Sequence, residues 1–274
     1  MSKTAVTRAV NAIQKFYPIA LADKSWDNTG LLVEASADHI KSDRLNILLT
    51  IDLTQSVAEE AIKSNTDFIM AYHPFIFRGL KSITTQDPQQ KSLIKLIQNN
   101  ISVYCPHTAV DSASGGVNDF LADGITSGLK EASREVIQKD SNIEGCGMGR
   151  LITLANPVQL SDLVKNVKKS LGVSNVLVAP ARGENSGHTI SRIAICAGSG
   201  GSVFKGVEAD LFYTGELSHH EALYFSETGS SVIACNHSNT ERAFLKVIKE
   251  QLKEELPDAN VSISEADRDP YEFW

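Results

Sequence analysis

Long apolar runs are missing from this 274-residue chain. No stretch approaches the roughly 18–20 residues of a membrane-spanning helix. Paired cysteines are missing too. Cys105, Cys146, Cys196 and Cys235 are far apart in sequence and form no Cys-x-x-Cys motif. That argues against a disulfide framework and against a thiolate-held structural zinc, and suits buried free thiols in a reducing compartment. A basic block is the third absence. The 26 Lys and Arg are interspersed among 33 Asp and Glu, for a net charge of −7. A groove for nucleic acid would leave an electrostatic footprint, and there is none. No membrane or direct nucleic-acid partner is expected. Residues 1–22 carry Lys3, Arg8 and Lys15 and no acid, an echo of a mitochondrial transit peptide. Val6, Val10, Ile13 and Tyr17 nevertheless follow helical spacing, so the segment reads as a first amphipathic helix. Cytoplasm is the default compartment, with mitochondria kept open.

Short apolar runs alternate with helical patterns, the grammar of an α/β fold with largely parallel strands. Leu45–Asp52, Asp67–Tyr72 and Ile101–Cys105 read as strands. Thr54 caps a helix with Val57, Ala58, Ala61 and Ile62 on one face, and Asp87-Pro88 opens another that runs to Asn99. A short helix is expected over Gly116–Ile125, and residues 128–148 read as a polar connection. Beyond it come strand Leu151–Leu154, helix Leu160–Leu171, strands near Asn175–Val178, Arg192–Ala197, Asp210–Thr214 and Ser231–Cys235, one long helix Asn239–Glu255, and a last strand at Val261–Glu265. Two lobes of similar topology follow, residues 1–127 and 128–274, with a site where they meet.

The polar residues at strand ends carry the chemistry. In open α/β sheets ligands bind beyond the carboxyl ends of strands. His73 and His107 stand at such ends in the first half, Glu216 and His237 in the second. His107 and Asp111, like His237 and Glu241, are four residues apart, a spacing that puts two side chains on one face of a helix or tight turn. Imidazole with carboxylate suits Zn²⁺, Mn²⁺, Fe²⁺ or Co²⁺. Spacing alone proves little, since roughly one such pair is expected by chance. His39 and Asp43 form one in a polar stretch, and His39 and His188 read as surface residues. Glu216 is a candidate general base, and Tyr72 or His219 could orient a substrate. Trp26, Asp27 and Asn28 are candidate cleft residues. The turn Gly198-Ser199-Gly200-Gly201 is either an anion-binding nest or a tight reversal.

The strings SWDNTGLLVE, AYHPFIFRGLKSIT, CPHTAVDSASGGVND, CAGSGGS, ADLFYTGELSHHEAL and ACNHSNTER together resemble the motifs of the NIF-three-like family, in the family's order and over nearly the whole chain. The resemblance implies two intertwined α/β lobes, a toroidal hexamer in many members, and two divalent metal ions in a cleft. Carried over position by position, the ligands would be His73, His107, Asp111, His237 and Glu241, with Glu241 bridging. One position departs: bacterial members have His-His-Pro where this chain has Tyr72-His73-Pro74, so a phenol replaces one ligand. Bacterial relatives are described as a type-two GTP cyclohydrolase I. Well-studied zinc cyclohydrolases use cysteine ligands, and none of the four cysteines here has a suitable neighbourhood. The expected function is a metal-dependent hydrolase acting on a nucleotide or other phosphate-containing small molecule. The alternative is a metal-containing regulatory protein with a protein partner.

Overall fold

Thr4 accepts a hydrogen bond from the Thr7 N–H and starts α1 (Ala5–Phe16), which forms as expected and buries Val6 and Ile13 of the predicted face together with Ala9 and Ala12, while Val10 is half-buried. The computed structural model describes residues 4–35, 43–272 and 274; His39 lies outside them. The chain divides into two compact units. The first comprises Met1–Val110 and Leu245–Arg268, the second Asp111–Phe244 and Asp269–Trp274.

In the first unit β1 (Gly30–Val33) precedes β2 (Asn46–Thr50), α2 (Gln55–Lys63), β3 (Phe68–Ala71), α3 (Pro88–Gln98), β4 (Ser102–Cys105) and α4 (Thr108–Ser112). Both expected caps form: the Thr54 hydroxyl accepts from Val57 N–H, and Asp87 from Gln90 N–H. Strands β3 and β4 are buried along their whole length, which is why they read as unbroken apolar runs. The sheet order is β1-β4-β3-β2 followed by β11 (Asn260–Ile263), and only β1 runs antiparallel to its neighbour. Val57, Ala58 and Ala61 of α2 and Leu93 and Leu96 of α3 pack with Leu48, Ile69 and Val103 of the sheet. Burying each of the larger side chains contributes roughly 1.5–3 kcal/mol.

The second unit starts in α4 at Asp111 and continues with α5 (Val117–Thr126), β5 (Glu131–Lys139), β6 (Gly147–Gln159), α6 (Leu160–Leu171), β7 (Leu177–Ala179), β8 (Thr189–Ser199), β9 (Leu211–Glu216), α7 (His219–Glu227), β10 (Ser231–Ala234) and α8 (Asn239–Arg242). Its sheet order is β5-β6-β8-β9-β10-β7. Only β8/β9 and β9/β10 are parallel, so this sheet is mixed rather than largely parallel. Phe204, Phe212 and Phe225 centre its core, with the Phe212 and Phe225 rings stacked at 3.9 Å between centroids.

Two expectations about elements fail. Residues 128–148 hold no plain connection: β5 pairs antiparallel with β6 along a hairpin. No β5 residue is fully buried, so its sequence lacks the apolar alternation that marks a half-buried strand. The long helix expected over Asn239–Glu255 is two helices, α8 and α9 (Leu245–Glu255). Phe244 packs on Phe120 in the second unit at 5.5 Å between centroids, whereas Leu245, Ile248 and Leu252 bury within the first. The helical face changes partner there, and one continuous helix cannot serve both.

Candidate functional site

Parallel register brings the strand-end residues of each unit together. In the first unit Thr50 faces Ala71 across β2 and β3, so Asp52 and His73, each two residues on, emerge side by side. Asp52 Oδ1 lies 2.8 Å from His73 Nδ1. The same arithmetic holds between β3 and β4, where Met70 faces Tyr104 and His73 therefore neighbours His107. Their rings stand 5.4 Å apart, nearly perpendicular. His107 takes a left-handed backbone (φ 36°) and donates its N–H to the Tyr72 carbonyl at 3.1 Å. Its Nδ1 lies 2.8 Å from Asp27 Oδ1. Asp27 reaches in from the loop before β1, with its side chain 0% exposed. The Thr108 hydroxyl donates to its second oxygen at 2.6 Å. Burial opposes the charge on Asp27, but the hydrogen bond and charge of His107 and the two donors of Thr108 win, leaving its carboxyl below the usual range. Tyr72 is fully buried, its ring edge-on to His73 at 5.6 Å and to His107 at 6.2 Å.

The second unit repeats the device. Thr214 faces Ala234 across β9 and β10, so Glu216 and the turn carrying His237 emerge together. Glu216 Oε1 lies 2.8 Å from His237 Nδ1. Asn236 adopts a left-handed backbone (φ 66°), and α8 then carries Glu241 one turn on. Glu241 Oε1 stands 3.4 Å from His237 Nε2, and its side chain is 3% exposed. Asp111 and Glu241 both face the Cys196 thiol, which burial first and these two charges next push well above its usual value. All four thiols are buried without a disulfide, as the sequence suggests. Those of Cys105 and Cys235 are pushed up to about 12 by burial, so neither they nor Cys196 supplies a thiolate at neutral pH.

Gly198 shows how closely this corner is built. A Cβ there would stand 2.8 Å from His237 Nε2 and 3.1 Å from Glu241 Oε1, on a backbone with φ +64°. Its N–H donates to Thr240 Oγ1 at 2.9 Å, and its carbonyl accepts from Thr214 Oγ1 at 3.1 Å. Gly201 is held in the same way, since a Cβ would meet the Glu221 carboxylate at 2.1 Å. The glycine turn thus admits close packing, and its Gly198 N–H is already engaged.

Three histidines, three carboxylates and one geometry result. In His73, His107 and His237 the Nδ1 atom is taken by an acid at 2.8 Å. A carboxylate on Nδ1 fixes the ring and turns Nε2 toward a ligand, the arrangement found behind metal-bound imidazoles. Asp52 and Asp27 were not recognisable as partners from local sequence, although Asp27 stood out as a cleft residue. The register of neighbouring parallel strands would have found Asp52. Glu216 is brought to His237. His219 is not brought to these groups by any described contact; it packs against His220 at 5.2 Å, exposed at the start of α7. His188 is half-buried, with Nδ1 3.2 Å from Ser231 Oγ.

Fold and residues together define a two-sheet α/β protein carrying a His/Glu cluster able to bind a metal ion. The chain belongs to the Duf34/NIF3 (NGG1p interacting factor 3) family, whose model matches residues 4–270. It is 46% identical to the NGG1-interacting factor 3 of Saccharomyces cerevisiae, over 97% of this chain and 98% of that protein. The Schizosaccharomyces pombe NIF3 homolog is 47% identical, over 98% of this chain and 99% of its own. Among solved structures, a Bacillus cereus protein related to NIF3 superposes with a TM-score of 0.82 at 20% identity, covering 97% and 98% of the two chains. HcgD from Methanocaldococcus jannaschii does so at 0.78 and 26% identity, covering 96% and 98%. No helix among the described residues is long and apolar enough to cross a membrane.

Proposed function

We propose that the protein holds two divalent ions and hydrolyses a phosphate ester, with His73, His107, Asp111, His237 and Glu241 as the metal donors. The observation that carries this reading is the three-fold repetition of a carboxylate on histidine Nδ1, at 2.8 Å each time. An isolated His–acid contact is ordinary, but three that each fix an imidazole at or just beyond a strand end are a donor set. Gly198 supports it, because the backbone recedes exactly where His237 Nε2 and Glu241 Oε1 need room. Nitrogen and oxygen donors without thiolate suit Zn²⁺, Mn²⁺, Fe²⁺ or Co²⁺.

Two bound cations would lower the pKa of water and stabilise charge developing on a phosphoryl oxygen. The chain's own residues do the rest. Asp52, Asp27 and Glu216 keep the three imidazoles in one tautomer and one orientation. Glu216 engages His237 through one oxygen and is 53% exposed, so its carboxylate can also accept the proton that water gives up. In hydrolysis water adds to phosphorus, the ester P–O bond breaks, and the alcohol leaves with a proton. Tyr72 presents a buried phenol beside His73 where bacterial relatives have a second histidine, and a phenol is the poorer metal ligand, so one ion is held more weakly than the other.

Metal analysis of the purified protein, followed by a phosphoester and nucleotide panel with Mn²⁺, Zn²⁺ or Fe²⁺, tests the reading. Two equivalents of unequal affinity are expected, with turnover lost in His237→Ala and Glu241→Ala. A protein that takes up no divalent metal under any condition sinks it. The name of the yeast relative, an interacting factor, favours a second reading as a metal-containing regulatory protein. Partner capture that survives in the metal-free double variant, with no turnover on any substrate, would select that one.

A further inference from the structure

The first unit exposes two aromatic rings beside its histidine pair. Trp26 is 53% exposed and Phe77 47% exposed. Water-facing indole is costly to leave uncovered, yet this one is held firmly. Its Nε1 donates to Asp23 Oδ2 at 2.8 Å, while the other Asp23 oxygen accepts from both the N–H and the hydroxyl of Ser25. Asp23 is tied back in turn, its N–H donating to the Thr108 hydroxyl, the same group that donates to Asp27. The indole is therefore anchored to the network that orients His107, and the two rings stand edge-on at 5.7 Å. Phe77 meets Trp26 at 6.2 Å and 60°. Arg78 and Lys81 follow Phe77 on the same exposed loop, and neither makes an ion pair among the described residues.

We propose that Trp26 and Phe77 form a stacking wall that selects substrates with a flat heterocyclic ring, a nucleobase or its equivalent, with Arg78 and Lys81 drawing in the attached phosphate. This rests on the hydrolase reading for the chemistry but not for the binding. Stacking is tolerant of base identity because every base offers a π face, so discrimination is between substrates with a ring and those without one. The fixed rings lose little conformational freedom on binding, which is what a preorganised contact needs. Arg78 can add a cationic face to the same ring.

Trp26 and Trp274 are the two tryptophans of the chain, so Trp274→Phe leaves the indole of interest as its sole reporter. In that full-length background, chelator-treated protein is titrated with adenosine and guanosine 5′-monophosphate, with the free nucleosides, and with ribose 5-phosphate. Both nucleotides and both nucleosides are expected to quench the fluorescence, and ribose 5-phosphate is not. By calorimetry, Trp26→Ala should weaken nucleotide binding about tenfold or more, from the usual strength of base–aromatic stacking. Trp26→Phe should recover part of it, and Phe77→Ala should weaken it less. Equal binding of ribose 5-phosphate and the nucleotides, or undiminished nucleotide binding by Trp26→Ala, overturns the proposal. So does a change in sedimentation of Trp26→Ala and Phe77→Ala without a change in binding, which would make the pair a contact between copies. Ring-selective binding without metal-dependent turnover leaves the wall standing and removes the hydrolase reading. Turnover of ring-free phosphate esters, unaffected by Trp26→Ala, does the reverse.

Discussion

The two units solve one problem with different parts. In the first, three adjacent parallel strands end at Asp52, His73 and His107; in the second, the corresponding ends carry Gly198, Glu216 and His237. The middle position is a histidine in one and an acid in the other. Because of that exchange the first unit supports two imidazoles but must import a carboxylate, Asp27, from a distant loop. The second supports one imidazole with an acid of its own sheet. Their surroundings differ accordingly. Asp27 is sealed, with its side chain 0% exposed, whereas the side chains of Glu216 and His237 are 53% and 37% exposed. A carboxylate brought in from afar has to be buried and fully hydrogen-bonded to stay in place, while one supplied by the neighbouring strand is placed by the sheet. The first position contrasts too. Asp52 holds His73, but Gly198 must be bare because His237 and Glu241 occupy its space.

The largest effect is expected from removing the imported acid. Asp27→Ala leaves His107 Nδ1 and the Thr108 donors without an acceptor in a buried place and should cost about 3 kcal/mol of folding stability. Glu216→Ala, half-exposed, should stay within about 0.5 kcal/mol. Urea denaturation of the two variants compares them directly, and equal losses would break the distinction between sealed and sheet-placed supports. Next comes Gly198→Ala. Its Cβ would meet His237 Nε2 on a left-handed backbone, for a cost of about 1–2 kcal/mol together with a clear drop in bound metal. Gly115→Ala is the control. Its φ is +71° with open space around the new atom, so it should carry only the backbone cost of about 1 kcal/mol and leave metal content unchanged. Parallel denaturation and metal analysis would separate crowding from strain.

The smallest effect is in the pH dependence. The carboxyl of Asp27 titrates lower in the folded protein than in the unfolded chain, where the value is near 4. Its stabilisation is therefore complete above about pH 5 and is lost as pH falls through the unfolded value toward the folded one. The stability gap between wild type and Asp27→Asn should shrink between pH 6 and pH 3.5. A gap that does not change with pH would mean that the charge on Asp27 contributes nothing.

Much of this was visible in the residues. The caps at Thr54 and Asp87-Pro88 mark the starts of α2 and α3, and α6 spans Leu160–Leu171 as its periodicity predicts. Apolar runs located β2, β3 and β4, and with them the strand ends that present His73 and His107. What stayed hidden depends on pairing. Asp27 and His107 are 80 residues apart, and nothing local announces their contact. The pairing of β11 beside β2 is likewise set by tertiary structure, not by the four residues Asn260–Ile263. Strand β6 runs through Asn156 and Pro157, residues that ordinarily end a strand. The β6–β8 pairing becomes irregular between Thr153 and Val158, which accommodates them.

The return of the chain to its first unit has a consequence for how the protein is made. Strand β2 lies between β3 and β11, and β11 is synthesised after every other described strand of the two sheets. Until Ile263 has been synthesised, the apolar edge of Asn46–Thr50 is open in a nascent polypeptide that already carries Asp111–Phe244, the larger part of the second unit. The sheet of the first unit is therefore completed after all six strands of the second have been made, against the usual amino-to-carboxy order of folding during translation. Ribosome stalling or premature termination between residues 245 and 263 should yield a product with an unpaired strand edge, a template for aggregation and a substrate for chaperones.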